Sequence, residues 1–136
     1  MKKLLILLVL MPFMALSQKS TTFKVEEYAL VANPKNTDIK YVTTTEIRFI
    51  EWTTFGNDMG TMKEVSPMVN ITYDITGSQS SGTDEEGFDH IVLNANVKGD
   101  PLKIKIRIAG NEYRYPVQVY FIYPDYSYIL YNCTVL

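Results

Sequence analysis

The chain has 136 residues, 46% of them hydrophobic and 21% charged, with a formal net charge of -2, one Cys and one His. That is the size of a single domain, and its mildly acidic balance argues against a nucleic-acid-binding surface. One Cys excludes an internal disulfide framework and a Cys-rich zinc site, and one His excludes chemistry that needs two imidazoles.

The N-terminus is expected to be an export signal. Lys2 and Lys3 form a positive start, Leu4 to Met14 an apolar stretch broken only by Pro12, and Ala15-Leu16-Ser17 a small-residue cut ahead of Gln18. The apolar stretch is shorter than a bilayer span. Lipid attachment at the cut would need a thiol there, and the one Cys is Cys133. The expectation is therefore a signal peptide over 1–17 and a single secreted β-domain over 18–136, periplasmic or extracellular, not a lipoprotein, with no transmembrane helix.

The rest of the chain alternates with period two. Strands are expected at 21–32, 38–55, 60–76 with a kink near Pro67, 88–98, 101–109, 112–123 and 126–135. That makes seven, or eight if the third divides at Pro67. Thr22 to Val31 contains Glu26, Glu27, Ala29 and Leu30, which a helix tolerates, and is assigned to strand. The clearest run is Leu102-Lys103-Ile104-Lys105-Ile106-Arg107-Ile108, apolar on one face and basic on the other. Turns are expected at Asn33-Pro34-Lys35-Asn36, Gly56-Asn57-Asp58-Met59-Gly60, Gly99-Asp100-Pro101, Gly110-Asn111 and Pro124-Asp125. Gly77 to Gly87, rich in Ser and Gly and then acidic, is expected to be a flexible loop.

Short connections imply antiparallel neighbours. The expected fold is all-β, an antiparallel meander of seven or eight strands. A β-sandwich is favoured over a small lipocalin-like barrel, because both faces are apolar around Tyr120–Tyr123 and Tyr128–Tyr131. The G-x-W of lipocalins is absent, since Trp52 follows Ile50 and Glu51. An outer-membrane barrel is disfavoured, because eight strands of about nine to eleven residues plus turns would consume nearly the whole chain.

Seven of the ten tyrosines fall between Tyr113 and Tyr131, and Tyr suits wet binding surfaces because a broad ring carries a polar tip. By parity Tyr113, Tyr115 and Tyr123 join Val117, Val119 and Phe121 on a core face. Tyr120 takes the other face, which makes it the leading ligand-binding candidate, with Tyr126 and Tyr128 next. The basic row Lys103, Lys105 and Arg107 could meet an acidic glycan or an anionic headgroup, or simply solvate a strand. No metal or cofactor is expected; Asp84, Glu86 and Asp89 are weak Ca²⁺ candidates, because they lack the EF-hand spacing. Met59, Met62 and Met68 are soft-metal ligands in type, with gap-filling the plainer role. His90 is expected at a strand edge with no catalytic task, and Cys133 is expected to be buried.

No nucleophile motif or phosphate loop is present. The leading functional expectation is a non-enzymatic exported β-domain that binds an envelope or extracellular protein or glycan through a sheet face or loop end. The alternative is a carrier of apolar small molecules, with a lumen lined by Tyr73, Leu93, Ile106 and Val119. The third is a small hydrolase with paired carboxylates, such as Glu46 or Glu51 with Asp74.

Overall fold

The computed structural model describes residues 19–33, 35, 39–44, 46–56, 59–110 and 113–136. The expected signal segment over 1–17 lies outside the described residues. So do Pro34 and Asn36, Asn57 and Asp58, and Asn111 of three expected turns.

The described residues form strands β1 (Lys19–Val31), β2 (Val42–Thr43), β3 (Phe49–Gly56), β4 (Met59–Val65), β5 (Asn70–Thr83), β6 (Asp89–Val97), β7 (Asp100–Ile108), β8 (Val117–Ile122) and β9 (Tyr128–Val135). Each strand from β3 onward pairs antiparallel with the next, and β9 pairs back onto β1. The sheet is thus a closed eight-strand antiparallel barrel, with β2 a short addition to β1. The meander is as expected, but the preference for a sandwich is corrected. Closure depends on β1, which pairs with β3 over Lys19–Lys24 and with β9 over Phe23–Val31, bending at a bulge between Val25 and Glu27. One strand bridging both ends of the meander leaves no second sheet to stack.

The strand at 38–55 divides into β2 and β3, and the one at 60–76 divides at Pro67. Ser66 closes that turn, its Oγ accepting from Val69 N at 3.0 Å. The expected loop after Gly77 is instead strand as far as Thr83, because β6 pairs with it across two bulges. His90 accordingly lies between Gly82 and Arg107 within the sheet, not at an edge. Two positions need glycine, one for a close approach and one for its backbone conformation. Gly60 runs so near the backbone of β3 that a Cβ there would overlap the Thr53 carbonyl oxygen. Gly87 turns the β5–β6 hairpin at φ +85°.

Alternation sends one face of every strand inward. Ile50, Met62, Ile104, Val119 and Phe121 are each 0% exposed, and Leu93, Ile106 and Tyr73 complete the same contiguous core. Tyr73 and Tyr131 flank Phe121, with ring centroids 4.7 and 5.5 Å away. Met62 fills core space, while Met59 and Met68 are exposed. Cys133 is buried in the same core. Lys63, Asp74 and Lys103 point outward. Apolar inside and charged outside is the reverse of a membrane-spanning barrel. Among the described residues, no helix is long and apolar enough to cross a membrane.

Candidate functional site

The outer face of β7, β8 and β9 collects most of the sequence candidates. Register places three transverse rows there: Lys103 with Ile122 and Tyr128, Lys105 with Tyr120 and Leu130, and Arg107 with Gln118 and Asn132. In the middle row Lys105 Nζ lies 5.4 Å from the Tyr120 ring centroid, and Tyr128 packs beside Tyr120 at 5.7 Å. Burial raises the pKa of the Tyr120 hydroxyl, which donates to Gln118 Oε1 at 3.2 Å.

The third row is hydrogen-bonded from end to end. Arg107 Nη1 donates to Gln118 Oε1 at 2.9 Å, Gln118 Nε2 to Asn132 Oδ1 at 3.0 Å, and Asn132 Nδ2 to Glu27 Oε1 of β1 at 2.8 Å. The Tyr115 hydroxyl donates to the other Glu27 oxygen at 3.4 Å. At the opposite end Arg107 Nε donates to Asp84 Oδ2 at 2.6 Å and Nη2 pairs with Glu86 at 3.1 Å. Asp84 Oδ1 also accepts the backbone N–H groups of Glu86 and Phe88, both at 3.0 Å, and so shapes the hairpin turn. The Arg107 hydrogen bond leads the effects that hold the Asp84 carboxyl below its ordinary pKa. Asp84 and Glu86, weak metal candidates from sequence, therefore converge on a guanidinium. Asp89 is apart from them and accepts from Thr83 Oγ1 at 3.2 Å.

Beside this row opens a cleft of about 410 Å³. Its floor is Arg107, Gln118 and Asn132; Phe88, Tyr113, Tyr115 and Tyr41 stand around it, with Glu86 and Arg114 also lining it. Phe88 lies 4.2 Å beneath the Arg107 guanidinium and meets Tyr113 edge-on at 5.0 Å. Tyr113 and Tyr115 were expected in the core by parity. They lie outside because β8 begins only at Val117, so the alternation does not extend back to them.

Tyr126 and Lys103 belong to a second depression, of about 600 Å³, at the other end of the same wall. It lies between the β6–β7 and β8–β9 turns, lined also by Asn94, Asn96, Pro101 and Pro124. Tyr126 is 71% exposed in a left-handed conformation at φ 71°. The structure thus brings together Tyr120, Tyr128, Lys105 and Arg107, and sets Tyr126 with Lys103 apart from them.

A polar cluster that the sequence reading did not single out sits inside the barrel. Glu64 is buried and accepts from Tyr131 OH, from Tyr73 OH at 3.3 Å and from Arg48 Nη1 at 3.2 Å. Arg48 Nη2 reaches Glu46 at 2.6 Å. Burial, and then the Glu64 charge, push the Tyr73 and Tyr131 hydroxyls well above the ordinary phenol pKa. Parity held the signal, since Glu64 shares its face with Met62 and Gly60. The carboxylate pairing considered from sequence is corrected. Glu46 meets Glu64 through Arg48, whereas Glu51 and Asp74 lie on outward positions opposite Lys63 and Thr61. With each Glu64 oxygen accepting a side-chain donor, the cluster is a polar plug, buried at Glu64 and partly exposed at Arg48 and Glu46.

Against protein-family models, curated proteins and solved structures, the chain has no match.

Proposed function

We propose that the protein is a non-enzymatic, exported binding module that engages an envelope or extracellular protein or glycan through the outer wall of β7–β9. The observation that carries this reading is the aromatic-walled cleft over the Arg107–Gln118–Asn132 row. Its size falls in the range of ligand pockets, about 300–1,000 Å³, and its polar groups are held in place by one another. Aromatic and arginine side chains are the types most enriched at binding hot spots. The inner positions considered for a carrier lumen, Tyr73, Leu93, Ile106 and Val119, are buried against the other core residues. That packing favours the outer wall over the lumen as the place for a ligand.

The test compares the protein with Tyr115→Ala and Lys105→Glu variants in capture of envelope proteins and of an immobilised glycan panel. The reading expects specific capture that both variants weaken. Capture indifferent to both variants would place the function elsewhere on the barrel. Native mass spectrometry adds a separate check, since a co-purifying apolar molecule retained by both variants would favour the carrier.

A further inference from the structure

The depression of about 600 Å³ at the other end of the wall has a cause in the register. The β7–β8 ladder ends at Lys103 and Ile122. Beyond that pair the β6–β7 hairpin continues to Val97 and Asp100, while the chain after Ile122 turns away through Tyr123 to Ser127. The wall therefore opens between β7 and the β8–β9 turn. Buried Ala95 and Leu102 line the opening from the core side, and half-buried Asn94 and Asn96 from β6. Its rim carries a strained residue. Tyr126 N–H donates to the Tyr123 carbonyl at 2.9 Å, which holds Tyr126 at φ 71° with its side chain 71% exposed. Gly or Asn takes that conformation readily, and a bulky ring does not. A strained ring with so little packing to compensate it, at the mouth of a pocket, points to a role in binding.

The chemistry of the lining is neutral. Among the described residues that line it, Lys103 is the one charged group, and its Nζ is taken by Gln79 Oε1. Charges just outside are mixed: Asp74 lies across the ladder from Asn96, Lys98 and Asp100 flank the β6–β7 turn, and Asp125 is held by Ser127. Neither an anion nor a cation gains a dedicated partner. Asn94 and Asn96 sit two positions apart on β6, so they share a face about 6–7 Å apart along the strand. Each amide offers both a donor and an acceptor, which matches hydroxyl groups that do the same. An added peptide strand is opposed by Pro101. The two-residue turn makes Val97 and Asp100 the hydrogen-bonded pair, so Pro101 faces the open edge and has no N–H to offer there. We propose that this opening is a second binding site on the wall, separate from the Arg107 cleft, and that it takes a short neutral saccharide. A sugar ring lays its C–H face on Tyr126, whose ring face is electron-rich, and its hydroxyls meet the two amides. The volume lies in the range of ligand pockets.

The experiment titrates the protein with cellotriose, chitotriose, maltotriose and mannotriose, and with trigalacturonate as the charged comparison. Calorimetry supplies affinity, and amide shifts in NMR supply location. At least one neutral sugar is expected to bind more tightly than trigalacturonate and to shift Asn94, Asn96 and Tyr126. Tyr126→Asn removes the ring and suits the left-handed backbone. It should weaken that sugar about tenfold, the size of one aromatic contact, while Tm stays the same or rises. Asn96→Ala should weaken it by a similar factor. Tyr115→Ala, in the cleft at the other end of the wall, should leave it intact. No binding by any neutral sugar, tighter binding of trigalacturonate, or unchanged affinity in Tyr126→Asn would each overturn the proposal. So would a lowered Tm in Tyr126→Asn, which would make the ring a structural element. If the sugars fail while capture of a protein still depends on Tyr115 and Lys105, the binding-wall reading stands and this second site is wrong.

Discussion

Replacing Glu64 with Gln probes the plug inside the barrel with almost no change in volume. Three side-chain donors point at this carboxylate, from Arg48, Tyr73 and Tyr131. A Gln side chain offers one acceptor oxygen and turns an NH₂ toward the remaining donor. At least one buried donor is then left unmatched, at a cost of about 1–3 kcal/mol. The lost ion pair adds to this. Its share falls below the roughly 3–5 kcal/mol of a fully buried pair, because Arg48 keeps Glu46 and its side chain retains 17% exposure. The expected total is about 2–4 kcal/mol, or about 8–16 °C in Tm at roughly 4 °C per kcal/mol for a chain of this length. Urea unfolding followed by near-ultraviolet circular dichroism measures it, with Tyr131→Phe and the double variant completing a cycle. A coupling energy of at least about 1 kcal/mol is expected between these contacting residues. A loss below about 0.5 kcal/mol in Glu64→Gln, or strict additivity in the cycle, would refute the view of the cluster as a coupled structural unit.

Three further outcomes follow from particular contacts. Gly60→Ala should cost about 3 kcal/mol, because its methyl overlaps the Thr53 carbonyl and β3 and β4 must separate; the same assay reads it, and a neutral result would contradict the close approach. The Asp84 carboxyl has a lower pKa folded than unfolded, so its contribution is present above the ordinary Asp pKa and lost as pH falls through the folded value. Amide resonances of Glu86 and Phe88, followed from pH 6 to pH 2, should move together at a midpoint below that of a free Asp; a midpoint at the free-Asp value would remove the Arg107 pairing. The Cys133 thiol is buried, and desolvation, with the nearby Glu26 charge, raises its pKa. It should resist a thiol reagent until the protein unfolds, and rapid labelling of the native protein would contradict its place in the core.

Much of the barrel was legible in the residues themselves. The alternation of Leu102 to Ile108 is written in side-chain chemistry, and strand geometry converts it directly into an inner and an outer face. Pro67 interrupts a strand for an equally local reason, and Gly99 does so one position earlier than expected, since the turn is Lys98-Gly99 and Asp100 and Pro101 already pair within β7. Legibility ended where the cause was not local. Ser78 to Thr83 has little apolar content, yet it is strand because β6 supplies a ladder beside it. Tyr113 and Tyr115 obey the parity of β8 on paper, but the strand begins after them.

The sequence by itself determined an all-β antiparallel meander, because nearest-neighbour pairing needs only alternation and short turns. Only the tertiary structure decided that the meander closes. Closure depends on the bulge that lets β1 serve β3 with its first half and β9 with its second, and inward alternation looks the same in a sandwich and a barrel. The candidate site belongs to that second class. Asp84 reaches Arg107, and Asn132 reaches Glu27, across long stretches of chain. Those meetings are set by cross-strand register around the closed wall, a relation between strands that no single stretch of residues contains.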